Sequence, residues 1–546
     1  QRLGKIRMFT PPRRLVGPLL ASAASAALAA PASAQAVTAA SASSPALTVS
    51  VPAESASVTR GDLIPIETYT LANGLNVVFH IDRSDPVTAV VLAAHVGSAR
   101  ETPGRTGFAH MFEHLFFLNS ENLGPGGLDR LSARVGGNGA NGSTSHDATD
   151  YLQTVPNDAL EKMIWAEADK LGYFINTVTA PVLAKEKQVV KNEKRQSYDN
   201  RPYGHTNSVI LGALFPQDHP YSWPVIGSLA DLDAATLDDV KDFYRRWYTP
   251  NNSTLVIAGD FDPAQARIWI QKYFGEIPRG VEAPRAQPRP ARLEQTIRLV
   301  HEDNFAALPE LTLAFPAVDQ AHPDAAALEV LAQYLTDGKE APLNASLIDR
   351  EKLTSQVDAY LDAEQIAGSF TLSVRAFEGK DLNLVQAAID QGFADFEAQG
   401  VSQAALDRVK TMQEAGLYGA LDSVLGKGRM LARSNATTGD PVFIDTRLAR
   451  LKAVTADDLM RVYQQYVKAK AHVATSFTPK GQAGLALSGS TKAVVSEEPI
   501  VEGAEAEVDQ NAGRIEVART ASSFDRTVEP PYGQAPAVTP PTIWTA

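Results

Sequence analysis

Two histidines four residues apart, with a glutamate between them, make His110-Met-Phe-Glu-His114 the string of this chain that holds the most chemistry. On a helix, residues i and i+4 share a face, so both imidazoles can reach one cation. Glu113 is three residues from His110 and adjacent to His114, which puts its carboxylate beside that cation, within reach of a water proton. The order His-x-x-Glu-His therefore points to zinc-assisted hydrolysis with Glu113 as general base. Met111, Phe112, Leu115, Phe116, Phe117 and Leu118 bury the remainder of such a helix and dry its polar face.

A catalytic zinc needs a third protein ligand and an open position. The sequence has no cysteine, so ligands come from histidine and carboxylates, and no disulfide supports the fold. Glu186-Lys-Gln-Val-Val-Lys-Asn-Glu193 offers two carboxylates seven residues apart, two helical turns, with Val189 and Val190 packing between them. A carboxylate pair on one face of a buried helix is explained by a facing cation. One of the two ligates and the other orients an imidazole or the water, and the spacing does not choose between them. His146, His205 and His219 read as loop or core hydrogen-bonding residues.

These side chains need a scaffold, and the pattern supplies one. Glu67–Phe79 reads as a hairpin turning at Asn73-Gly74, and Val87–Val96 as a buried strand. Helices are expected over Thr106–Leu118, Asp158–Phe174, Ala180–Asp199 and Thr236–Tyr248, then a strand over Thr254–Ala258. An internal repeat follows. Thr236-Leu-Asp-Asp-Val-Lys-Asp-Phe-Tyr recurs as Thr455-Ala-Asp-Asp-Leu-Met-Arg-Val-Tyr, each with an N-capping threonine ahead of acidic first-turn residues. Leu311–Phe315 and the helix ending at Leu335 repeat Val91–Ala94 and Phe108–Leu118 at nearly the same offset. The expected fold is α+β, a two-layer α/β arrangement of two similar domains, each a mostly antiparallel sheet with packed helices. Their bounds are 61–275 and 293–482, with a Pro/Arg/Ala-rich linker over 276–292.

The ends read differently. Arg13 and Arg14, the apolar run Leu15–Ala30 and small residues at Ala34 and Ala36 form an export-signal pattern, cleaved near Ala36, so 1–36 is expected to be signal peptide and upstream residues. Residues 37–60 read as a flexible leader and 483–546 as an extended acidic and proline-rich tail. A formal net charge of -13 argues against nucleic acid as a main partner. No other apolar run is long enough to insert into a membrane.

The ordered motifs resemble the inverted-motif zinc peptidases of the pitrilysin, insulin-degrading enzyme and mitochondrial processing peptidase family. The resemblance rests on Leu71-Ala-Asn-Gly-Leu75, His95 through His114, Gly136–Thr144 leading to Thr149-Asp-Tyr151, Glu186 and Glu193, and Tyr248-Thr-Pro-Asn-Asn252 ahead of Gly259-Asp260. It implies one zinc per chain on His110, His114 and Glu193, with Glu113 as base and Glu186 as the supporting carboxylate. It also implies that Asn141, Gly142, Ser143 and Thr144 form a strand beside the metal which a peptide substrate extends; Gly142 replaces the family's alanine and loosens that strand.

Family domains pair, and two pairs close as a clamshell, so this chain is expected to form one half. Its second domain has Ala327, Val330 and Leu331 where the repeat places the motif, and Arg408 opposite Glu186, as in a non-catalytic copy. The resemblance implies a zinc metalloendopeptidase or oligopeptidase of unfolded peptides, periplasmic or secreted. Its expected partner is a motif-less family subunit, with a homodimer as the other arrangement and Tyr532 and Trp544 of the tail free to bury against the partner. The competing readings are a non-catalytic assembly subunit and a zinc hydrolase of small molecules.

Overall fold

The computed structural model describes residues 58–495 and 517–535, all within the compact unit Val51–Ala546. The export signal, Trp544 and most of the leader lie outside the described residues. Among the described residues, no helix is long and apolar enough to cross a membrane.

The first sheet is built from β1 (Val58–Arg60), β2 (Ile66–Thr70), β3 (Asn76–Ile81), β4 (Val87–Ala94), β5 (Asn138–Thr144), β6 (Thr149–Pro156) and β7 (Ser253–Gly259). Their spatial order is β1-β2-β3-β7-β4-β6-β5; β3 and β7 run parallel and every other pair is antiparallel. The helices in this part of the chain are α1 (Phe108–Leu118), α2 (Gly127–Arg134), α3 (Leu160–Gly172), α4 (Ala180–Lys194), α5 (Thr206–Leu214), α6 (Leu229–Ala234), α7 (Leu237–Trp247) and α8 (Pro263–Phe274); α5 packs on the second sheet. The expected hairpin forms, but its connection is the five residues Leu71–Leu75. Gly74 sits at φ 92, and the Asn73 amide donates to the carbonyls of Phe274 and Ile277 at 2.8 and 2.9 Å.

The second sheet comprises β8 (Ile297–Asp303), β9 (Glu310–Ala317), β10 (Thr354–Ala363), β11 (Gly368–Ala376), β12 (Val473–Pro479) and β13 (Thr491–Lys492), ordered β10-β11-β9-β12-β8-β13. Its helices are α9 (Ala325–Thr336), α10 (Pro342–Asn344), α11 (Leu382–Gln399), α12 (Gln403–Gly419), α13 (Val424–Thr438), α14 (Phe443–Ala453) and α15 (Ala456–Val462). Strand for strand, β8, β12, β9, β11 and β10 repeat β3, β7, β4, β6 and β5, including the parallel pair in the same place. The repeated threonines carry matching capping boxes, Thr236 with Asp239 and Thr455 with Asp458, a device that adds about 1 kcal/mol to each helix.

Two segments differ from the sequence reading. Residues 58–60 of the expected leader pair with β2, and Thr491–Lys492 of the expected tail add a parallel strand beside β8. Neither run has an alternating pattern, because two or three residues at a sheet edge need only backbone pairing.

The first sheet is covered on both faces, and its side chains alternate between two cores. Val90, Leu92, Ala94, Leu255 and Ile257 pack with α1 and α3, while Val78, Val91, Ala93 and Val256 join the core of the second sheet. Two buried faces account for the unbroken apolar run of β4, where a half-exposed strand would alternate. The second face is covered largely by α13, which contributes Leu431, Ala432 and Ala436 to that shared core. Polar contacts bolt the halves together: Lys427 to Asp82 at 2.6 Å, Asn435 to Thr254 at 2.7 Å and His146 to Glu364 at 2.8 Å.

Residues 517–535 of the tail, expected to be free for a partner, lie against the helices of the first sheet. Arg526 is buried, lies over the Tyr173 ring, and donates to Glu276 and to the Tyr273 carbonyl. Phe524 meets Tyr273 edge-on, and Trp165 Nε1 donates to the Arg526 carbonyl at 3.1 Å. Tyr532 sits over Lys162 and stays half-exposed. The Arg526→Ala variant should lose about 2 kcal/mol in urea unfolding: breaking a buried ion pair is costly, but Glu276 keeps its serine and tyrosine donors. An unchanged urea midpoint would show that the tail is not held at this point.

Candidate metal centre

Helix α1 begins at a residue that cannot cap it. Gly107 has φ 88, and a Cβ there would come within 2.7 Å of the Ile226 carbonyl oxygen, so glycine is required and the helix has no side-chain N-cap. Its first N–H groups are met from outside. The buried Glu101 carboxylate accepts from Gly107 N at 3.0 Å and Ala109 N at 2.8 Å, and from Trp223 Nε1 at 3.1 Å. Burial pushes the Glu101 pKa up to about 8 despite those three donors.

Along α1, Phe108, Ala109, Met111, Phe112, Leu115 and Phe116 are buried, and Phe112 and Phe116 pack among Tyr244, Tyr248 and Phe174. His110, Glu113, His114 and Phe117 form the half-exposed stripe at i, i+3, i+4 and i+7. Helix α4 faces that stripe, and a π-helical turn, Arg195–Asp199, takes over directly after Lys194. π-turns inside helices recur at functional sites.

His110, His114 and Glu193 each offer a ligand atom, and these atoms lie within 4.8 Å of one another; this is the single such group of three or more among the described residues. His114 Nε2 is 3.1 Å from Glu193 Oε2, and His110 Nε2 is 3.6 Å from Oε1. The other nitrogen of His114, Nδ1, is 2.8 Å from Glu186 Oε1, which fixes the ring with Nε2 toward the gap. His110 Nδ1 is buried and makes no hydrogen bond with any described residue, so that ring too presents Nε2. Burial alone would lower the His114 pKa, but hydrogen bonds to Glu186 and Glu193 and their charges lift it to about 10. The imidazoles of His110 and His114 in turn hold the Glu193 carboxyl well below the usual range. Two imidazoles, one carboxylate and a side open to solvent suit a catalytic zinc, and the local field already prefers positive charge.

Glu113 lies beside this group. Thr144 Oγ1 donates to its Oε2 at 2.5 Å, and β5 runs against it so closely that a Cβ on Gly142 would lie 2.7 Å from the glutamate Cγ. The glycine expected to loosen the strand thus permits a close approach. Of the four strand residues named from the sequence, Gly142 and Thr144 reach Glu113. Asn141 is exposed, with its Oδ1 accepting from Gly142 N, and Ser143 faces the other side of the sheet. Val190 packs beneath α4 as expected, whereas Val189 is exposed. In the second unit, Ala327, Val330 and Leu331 occupy the corresponding turns of α9 and are all buried, and Arg408 pairs with Asp337. Sequence reasoning missed Glu101, whose one signal was its place in the glycine-bounded loop 97–107, and Asp150, which is buried against Arg429 and Arg433.

The family model described as "Insulinase (Peptidase family M16)" matches residues 76–208, and "Peptidase M16 inactive domain" matches 234–413. The chain belongs to peptidase family M16, the family of the inverted-motif zinc proteases. It is 28% identical over 415 residues to the zinc protease PqqE of Helicobacter pylori, covering 74% of this chain and 90% of that one. Its fold is similar to the crystal structure of a protease from Helicobacter pylori, with TM-score 0.70 at 27% identity, over 76% of this chain and all (100%) of the other. It also matches the periplasmic protease PqqL of Escherichia coli, with TM-score 0.65 at 21% identity, over 80% of this chain and 50% of that one. The fold is therefore that of one two-domain half of a clamshell.

Glu101 gives the site a pH signature. Its folded pKa lies above the ordinary 4.5, so its contribution to stability is complete below about 4.5 and is lost as pH rises through about 8. In chelator-treated protein, Glu101→Gln should lose less unfolding free energy than the parent across that window. Identical pH profiles would show that Glu101 does not titrate there.

Proposed function

We propose that this chain is a zinc-dependent metalloendopeptidase or oligopeptidase acting on unfolded peptides. The observation that carries the reading is the convergence of His110, His114 and Glu193 on one point with Glu113 beside it. A zinc ion held there would polarise the scissile carbonyl and lower the pKa of a water from about 15.7 toward about 7. The chain's own residues do the rest. Glu113, beside that point, would take a proton from the attacking water and return it to the leaving amine. Thr144 orients the Glu113 carboxylate through one oxygen and leaves the other free. Glu186 keeps His114 turned to the metal. β5 is the last strand of its sheet, so its outer edge is available for a peptide backbone to pair with, beside Glu113.

The match of residues 234–413 to a domain described as inactive favours a second reading, a non-catalytic assembly subunit. That match begins after the metal-centre residues and takes in the second unit's apolar motif positions, while the first unit keeps every ligand, which favours the enzyme. Because the fold spans half of the PqqL chain, we further propose that a complete site needs a second such half, from a motif-less family subunit or a second copy. The export-signal pattern before residue 37 supports a periplasmic or secreted location.

Glu113→Gln should cut peptide turnover by about 10²–10⁴-fold with zinc still bound at one per chain. Glu193→Gln should lose the zinc, and Glu186→Gln should weaken its binding about 10–100-fold. Zinc analysis alongside peptide hydrolysis decides; zinc lost equally from the Glu113 variant would make that residue a ligand and end the assignment. Light scattering on the active species should give twice the mass of one half. A fully active single 58.5 kDa chain, or its processed form, would refute the need for a second half.

A further inference from the structure

The face of the first sheet opposite α1 carries charge that the proposed chemistry does not use. Asp150 of β6 has 0% exposure and accepts from Arg429 Nε at 2.9 Å and Arg433 Nε at 2.8 Å. Both arginines lie on α13, one turn apart, and their side chains remain 42% and 39% exposed. Ser143, directly opposite Asp150 in the β5–β6 register, accepts from Arg433 Nη2 at 3.2 Å. One buried carboxylate thus holds two guanidinium heads beside the free edge of β5. Three acids lie on the same side: Glu364 pairs with His146, Asp147 accepts from Tyr221 and the Gln365 N–H, and Asp362 shares a cavity with Arg433.

A strand laid along β5 alternates its side chains between the two faces of the sheet. Those level with Gly142 and Thr144 point toward Glu113. Those level with Ser143 point toward the arginines, whose Nη groups keep donors available for a carboxylate. We propose that Arg429 and Arg433 select an acidic side chain at the substrate position paired with Ser143. Asp150 fixes both heads in advance, so little side-chain entropy is lost when a carboxylate arrives. The inference rests on the reading of β5 as the peptide-receiving edge.

The test uses one unstructured peptide in which each position in turn is Glu, Gln or Lys. Binding is measured by fluorescence anisotropy to the full chain carrying Glu113→Gln, and hydrolysis by the parent chain. At a single position Glu should bind roughly fivefold better than Gln, as for a partly exposed ion pair, and Lys should bind worst. The advantage should shrink as salt rises. Adding Arg429→Gln should bring the Glu-to-Gln ratio toward one, and Arg429→Glu should turn the preference to Lys, while Arg433 still pairs with Asp150. Each ratio compares two peptides on one protein, so a reduced folded fraction does not alter it. Equal binding at every position, a Lys preference in the parent, or a Glu preference that survives both Arg429 changes would overturn the proposal. Selective binding with no hydrolysis by the parent, even when the proposed second half is supplied, would instead refute the peptidase reading and leave this one standing.

Discussion

Three glutamates and two histidines converge where α1 faces α4, and like-charged carboxylates do not gather without a cation or its equivalent. The hydrogen bonds and charges of Glu186 and Glu193 lift the His114 pKa to about 10 against its burial, so the field at the centre favours positive charge. Everything around the centre keeps that crowd in register. Glu101 holds the first turn of α1, aromatic rings pin its buried side, and β5 presses on Glu113 from the flank. Loosening any of these would let the carboxylates relax apart, and the demand for a metal would fall with their separation.

The scaffold meets this requirement by burying the first sheet on both faces. With cores above and below, β4 and β7 cannot shift register without moving apolar groups out of two interiors at once. The second unit, which holds no metal ligand of its own, supplies one of those interiors through α13. It is therefore part of the rigidity of the centre, although it lies on the far side of the sheet.

Local chemistry was legible in the sequence. Helix periodicity placed His110, Glu113 and His114 on one stripe, and the seven-residue spacing brought Glu193 and Glu186 to one face; the structure puts Glu193 with the two histidines and Glu186 on Nδ1 of His114. The repeated threonine–aspartate caps announced the duplication because a capping box spans only four residues. Pairings between distant segments were not legible. Asp150 and Arg433 are separated by 283 residues, and no spacing rule links them. The tail illustrates the same limit. Its proline-rich composition shows that it cannot form a core, but not that Arg526 finds a pocket between Tyr173 and Glu276.

The duplicated helix has a consequence for how such a chain can evolve. At the turns where α1 displays His110, Glu113 and His114, α9 has Ala327, Val330 and Leu331, which are 4%, 0% and 0% exposed. The neighbouring helices α12, α14 and α15 pack on α9. Restoring a histidine or glutamate there would now enclose an unpaired polar group in a dry interior before any metal could reach it. Each single step back is thus destabilising on its own, and the loss acts as a ratchet. The two copies have become a division of labour that point substitution cannot undo: one keeps a polar stripe open to solvent, while the other is bound to the shape it fills.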